Sequence, residues 1–116
     1  VAVFETESQV ANLKPDFAAV ANLKEPLIAA TAPADADEFD FVSRFFVPTA
    51  GVNEDPATGS SHTVLTPYWS KKFGRTELVG RQISRRGGTM YCRLVDERVN
   101  IAGHVVEVMT GEITIE

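Results

Sequence analysis

The sequence predicts an α+β domain, on three observations. Helical spacing of apolar residues is confined to two stretches, 8–23 and 60–73. The strongest strand pattern, FDFVSRFFV at 39–47, stands just before the second of them. From residue 77 onward the chain reads as short β runs separated by turn formers, which is the pattern of an antiparallel meander. Together these describe a helical segment, a central strand, one key helix, and hairpins around a core.

Each element follows from local chemistry. Residues 1–5 (VAVFE) form a short β-type run, and an opening in mid-strand suits a piece of a longer protein. Ser8 is placed to cap a short helix carrying Val10 and Leu13. Pro15 restarts it, with Asp16 in the new first turn and Phe17, Val20 and Leu23 along one face. PLIAAT at 26–31 reads as a buried strand, and Pro33 in the acidic stretch 32–38 argues for a solvated loop. The 39–47 strand carries bulky apolar groups on both faces and is therefore central. Arg44 in its middle calls for a partner. Either a structural ion pair with Asp40, Glu54 or Asp55 meets that need, or the guanidinium clamps a ligand carboxylate. In 60–73, Val64, Leu65, Tyr68, Trp69 and Phe73 predict an apolar stripe. Pro67 there either kinks the helix or starts a second turn capped by Thr66, and Gly74 is the stop. Strands are expected at 77–85, 89–95, 98–102 and 105–115.

Composition sets the outer bounds. The chain has 116 residues, with 44% hydrophobic and 23% charged content, which suits one globular domain. A net charge of −5 and scattered arginines give no support to nucleic-acid binding. No run is long enough for a membrane span, and no signal-peptide pattern stands at the N-terminus. Cys92 is the single cysteine, so no internal disulfide and no multi-cysteine zinc site is expected. His62 and His104 lack metal-ligand spacing. These features point to a cytoplasmic setting.

The stretch GVNEDPATGSSH, residues 51–62, concentrates turn formers and hydrogen-bonding groups where the central strand feeds the helix. A helix start of this kind offers unpaired N–H groups and a positive dipole end to an anion. Asp55, extended by the following Pro56, either accepts an N–H from Ala57 or Thr58 in an Asx turn or faces a pocket as acid or base. Thr58, Ser60 and Ser61 are all candidate caps, and Gly59 admits close approach by a ligand. No nucleophile triad or phosphate loop is present. His62 reads as a surface or cap residue, Cys92 as core, and His104 as an exposed turn residue. The Arg85-Arg86-Gly87-Gly88 turn is either an anion site or an ordinary hairpin end.

The segments DFVSRFFVPTAGVNEDPATGSSH, LTPYW, GRQISRRGG and RVNIAGHVVEV occur in that order. With VFE and KPDF at the start, they resemble the C-terminal half of the phenazine-biosynthesis PhzF-like isomerase family over nearly the whole chain. The resemblance implies one half of a diaminopimelate epimerase-like fold, with a mixed or antiparallel sheet wrapped around a central helix at about Ser60–Phe73. It implies cofactor-independent proton transfer on a small carboxylate-bearing metabolite. Asp55 and Ser60 match the family's catalytic Asp and Ser. Gly59, Thr58, Ser61 and Arg44 would then bind substrate. The family's main proton-transfer Glu lies in an N-terminal domain that this chain does not contain. The expected partner is therefore a complementary N-terminal half or a second copy in a homo-oligomer, such as a dimer, with no nucleic acid and no membrane. Two other readings of the chain are a non-catalytic homodimerising domain and a module that binds small anions.

Overall fold

In the computed structural model, which describes residues 1–116, the chain forms a mixed α/β arrangement of three helices and a 7-stranded sheet. The strands are β1 (Ala2–Val3), β2 (Ile28–Pro33), β3 (Phe41–Phe46), β4 (Glu54–Asp55), β5 (Glu77–Gln82), β6 (Gly88–Val95) and β7 (Arg98–Ala102). The helices are α1 (Glu7–Ala11), α2 (Phe17–Ala21) and α3 (Gly59–Phe73). Strand order is β1-β2-β3-β5-β6-β7, with β4 folded back onto β3. The β1/β2 and β3/β5 pairs are parallel and the rest antiparallel. A parallel pair needs a crossover, and α3 is the crossover from β3 to β5.

The alternation along β3 explains its central place. Phe41 is fully buried in one cluster with Ala29, Leu65, Trp69 and Leu78, on the α3 side. Val42 and Phe46 join Val10, Ala30 and Ala32 in a second cluster, on the α1 side. The side-chain period of two sends these sets to opposite faces of the sheet.

The short helices owe their existence to capping rather than length. Thr6, not Ser8, caps α1 in a reciprocal box: Thr6 Oγ1 accepts the Gln9 N–H at 3.3 Å, and Gln9 Oε1 accepts the Thr6 N–H at 3.1 Å. Asp16 is the cap of α2 and accepts the Ala19 N–H at 3.0 Å. Pro33 closes β2 opposite Phe41 instead of excluding a strand. A proline is tolerated at the end of a strand, where the ladder needs no further donor.

The buried face of α3 differs from the expected stripe. It comprises Ser61, His62, Leu65, Thr66, Trp69 and Ser70, while Val64 is 56% exposed and Phe73 38% exposed. The helix runs through Pro67 without interruption. Half its inner face is therefore small and polar. Trp69 is held there by its Nε1–H, which donates to Thr31 Oγ1 at 3.0 Å, and by stacking on Phe41 at 6.0 Å. Gly80 lies across the same contact. A Cβ at Gly80 would come within 2.6 Å of Phe41 Cζ and 3.0 Å of His62 Cδ2, so only glycine lets β5 approach α3 this closely.

No strand forms at 105–115. The chain leaves the sheet after Ala102, and Val105, Val106, Val108, Met109, Ile113 and Ile115 are each at least 84% exposed. Their spacing suits a strand, but no strand in the chain pairs with this stretch, and an unpaired strand does not hold its shape in water. No helix is long and apolar enough to cross a membrane.

Candidate functional site at the start of α3

The 51–62 stretch is a built structure rather than an open loop. Residues Pro48–Ala50 form a 3-10 turn, the Val47 N–H donates to Asn53 O at 3.0 Å, and β4 pairs Asp55 with Phe45 and Glu54 with Phe46. The hairpin fixes Asp55 just ahead of α3.

Thr58 occupies the cap position of α3, but its side chain makes no cap bond. Its hydroxyl donates instead to Asp55 Oδ2. Its N–H donates to Gln82 Oε1 at 2.8 Å, so the Asx turn onto Thr58 does not form. The Gln82 amide nitrogen donates to Asp55 O at 2.6 Å and to Thr58 Oγ1 at 3.1 Å. Gln82 is fully buried. A chain of donors thus runs from Gln82 through the Thr58 hydroxyl to the Asp55 carboxylate, and it holds that carboxylate in one orientation. Because Thr58 does not cap, the first-turn N–H groups of Gly59, Ser60 and Ser61 meet no side-chain acceptor, and no acidic residue sits in that turn. Gly59 and Ser60 are exposed. The positive end of a 15-residue helix therefore opens beside a half-buried carboxylate.

The structure separates the sequence candidates. Asp55, Thr58, Gly59 and Ser60 come together at the helix start. Ser61 turns inward: its hydroxyl donates to Thr58 O at 2.9 Å and lies 3.2 Å from His62 Nδ1. Arg44 lies on the far side of β4, where Nε and Nη2 donate to Glu54 at 2.8 and 2.9 Å. Its Nη1 donates to the carbonyls of Val10, Ala11 and Leu13 at 2.9–3.2 Å. The Glu54 hydrogen bond holds the guanidinium charged beyond its ordinary range, against the opposing effect of burial.

Gln82 and Ser84 escaped the sequence reading. The Ser84 hydroxyl donates to Pro56 O at 2.7 Å and accepts the Gly87 N–H at 3.0 Å, which ties the Arg85–Arg86 turn to the motif. Both lie in the GRQISRRGG segment, whose co-occurrence with EDPATGS was the available signal. A pocket of about 380 Å³ opens here, lined by Glu54, Pro56, Ser84, Arg85 and Arg86. A cavity of about 470 Å³ across β5, β6 and β7 contains none of the motif residues. No three His, Cys, Asp or Glu side chains converge to hold a metal ion.

His62 is not a surface residue. It is fully buried against Phe41, with Nδ1 at 2.8 Å from Thr58 O and Nε2 without a partner. That carbonyl makes Nδ1 the protonated nitrogen. Burial lowers the His62 pKa below its ordinary value, and the Thr58 hydrogen bond only partly opposes this. The folded state thus binds fewer protons than the unfolded state below about pH 6.5, the unperturbed value. The stabilisation is complete above that pH and is lost as pH falls through the folded pKa. Urea unfolding at pH 7 and pH 5 is expected to show a loss that His62→Gln reduces, with an upper slope of about 1.4 kcal/mol per pH unit for one proton. An identical pH dependence in the variant would rule out His62 as the source.

The family model described as PhzC-PhzF, phenazine biosynthesis-like protein, matches residues 1–111. An uncharacterized isomerase of Pseudomonas aeruginosa is 47% identical over 113 residues, which cover 97% of this chain and 42% of that protein. The crystal structure of a PhzF-family protein of Enterococcus faecalis superposes with a TM-score of 0.81 at 42% identity, over 87% of this chain and 38% of that one. A putative PhzC/PhzF protein of Clostridium difficile gives 0.78 at 41% identity, over 97% and 43%. The chain thus spans about two-fifths of the length of the relatives it matches. It belongs to the PhzF-like phenazine biosynthesis family.

Proposed function

We propose that this chain is one half of a diaminopimelate epimerase-like isomerase that moves a proton between carbons of a small carboxylate-bearing metabolite without a cofactor. The observation that carries the reading is the pairing of an oriented Asp55 carboxylate with uncapped N–H groups at Gly59 and Ser60. Those N–H groups suit a substrate carboxylate or the enolate-like charge that develops when a neighbouring carbon loses its proton. Asp55 serves as one acid/base group, and Ser60, exposed at the opening, as a second contact to substrate. Proton transfer also needs a group on the opposite side of the substrate. We assign that role to a Glu of a complementary N-terminal half. The coverage of the relatives and the unpaired apolar residues of 105–115 support the need for such a half.

The same exposed residues favour a second reading, a non-catalytic domain that homodimerises to cover them. One experiment separates the two. The chain is mixed with an N-terminal half from a relative and incubated with small carboxylic acids in D2O. Deuterium at carbon is expected only in the mixture, and Asp55→Asn is expected to lower the rate by about 10²-fold or more. Absence of exchange in every mixture, with a stable dimer of the chain alone by sedimentation, would favour the second reading.

A further inference from the structure

Of the seven arginines, Arg44, Arg75 and Arg93 each have a carboxylate within ion-pair distance. Arg81, Arg85, Arg86 and Arg98 have none, although the chain carries 16 acidic residues and a net charge of −5. Three of these four cluster at one hairpin end, the connection between β5 and β6. Like charges on one turn repel one another, and an anion relieves the repulsion.

The turn is preorganised. Ser84 bonds it to Pro56 O on one side and to the Gly87 N–H on the other. Gly87 has φ +75°, in the left-handed region that favours glycine, and it sits directly against the Arg81 guanidinium. A Cβ on Gly88 would meet the Ala57 Cβ at 2.7 Å, which shows how tightly the turn presses on the DPA segment. Arg81 is fixed by its Nη1–H, which donates to Thr89 Oγ1 at 2.9 Å. Arg85 and Arg86 are exposed and line the pocket of about 380 Å³ together with Pro56, three residues before Gly59. Glu54 is the one carboxylate in that lining, and Arg44 already neutralises it through two hydrogen bonds. The pocket therefore presents net positive charge and planar guanidinium donors suited to carboxylate or phosphate oxygens.

We infer that this pocket is an anion subsite for the second charged group of a dianionic metabolite, Arg85 and Arg86 being its specificity-determining residues. The inference rests on the proton-transfer reading only in placing the first carboxylate at Gly59 and Ser60. It confines the substrate class to small dicarboxylates or phospho-carboxylates. Monocarboxylates would lack the second anchor.

The test reads binding and needs no turnover. Amide and guanidinium ¹⁵N shifts of the chain are followed on titration with acetate, glutarate and inorganic phosphate. Glutarate is expected to bind about tenfold or more tightly than acetate and to shift both the Gly59–Ser60 amides and the Arg85–Arg86 Nε–H groups. Phosphate shifting the arginines while glutarate reaches only the helix start assigns a phosphate, not a carboxylate, to the subsite. Arg85→Gln/Arg86→Gln is expected to abolish the glutarate advantage and leave acetate unchanged. Arg93→Gln/Arg98→Gln removes the same charge at the far end of β6 and is expected to change nothing. No saturable shift at Arg85 or Arg86 with either glutarate or phosphate, or equal losses in the two double variants, would overturn the inference. Exchange activity that fails while this binding persists removes the isomerase reading alone.

Discussion

Replacing Gln82 with Leu is expected to destabilise the chain by about 3 kcal/mol or more, because each buried N–H or C=O left unpaired costs about 1–3 kcal/mol. Gln82 satisfies the Thr58 N–H, the Asp55 carbonyl and the Thr58 hydroxyl at once, and it is fully buried while doing so. Leucine is somewhat larger and branched, so any overpacking at this fully buried site adds to the polar loss. Urea unfolding monitored through Trp69 reads the energy. Hydrogen exchange at the Thr58 amide reads the cause, and its protection is expected to collapse. A variant within about 1 kcal/mol of the parent, with Thr58 still protected, would mean that the clamp carries no weight. The consequence for the site is direct. Without Gln82 the Thr58 N–H and the Asp55 carbonyl lose their partner and the Thr58 hydroxyl loses its donor, so the Asp55 carboxylate is expected to lose its fixed orientation.

How far the sequence reveals this arrangement depends on the range of each interaction. The central strand is legible from 39–47 alone because its alternation encodes burial on two faces. The start of α3 is legible because loop and helix are adjacent in the chain. Gln82 is invisible because it is 24 residues from Thr58, and a glutamine in a strand carries no local mark of what it will bond. His62 misleads for a related reason. Its polarity suggests solvent, but Gly80 of β5 and Phe41 of β3 enclose it from the sheet. The stripe on α3 is shifted because its inner face holds Ser61, Thr66 and Ser70, small groups that let the sheet come close. The pattern at 105–115 reads as a strand and finds no partner, since sheet formation is a property of pairs.

The fold also explains why the motif sits where it does. The parallel β3/β5 pair forces a crossover, and the crossover helix must begin at the end of β3 and its hairpin. The β5–β6 turn emerges at the same edge, since Ser43 pairs with Gln82 and Ser84 reaches Pro56. Helix start, carboxylate and arginine turn are therefore neighbours by topology, although Pro56 and Ser84 are 28 positions apart in the chain and the pocket draws on both segments.

Arg44→Met is expected to cost about 2 kcal/mol or more, below the roughly 3–5 kcal/mol for removing one partner of a fully buried ion pair because this one is part-buried. The paired side chains are only 14% and 22% exposed, so Glu54 would be left with a poorly solvated charge. The carbonyls of Val10, Ala11 and Leu13 would lose their common donor, and α1 would come away from β3. Glu54→Gln alone is expected to destabilise less, since the amide oxygen still accepts one guanidinium bond. Arg44→Met with Glu54→Gln should cost clearly less than the two single changes summed, because no unpaired charge remains. Strict additivity in that cycle would show that the two groups do not act as a pair. The cycle also decides between the two roles that the sequence left open for Arg44. A ligand clamp predicts a stable Arg44→Met variant with weakened anion binding. The ion pair predicts an unstable variant whose folded fraction binds acetate as the parent does, because Arg44 bonds only Glu54 and the carbonyls of Val10, Ala11 and Leu13 and touches neither Gly59 nor Ser60, the proposed anion site.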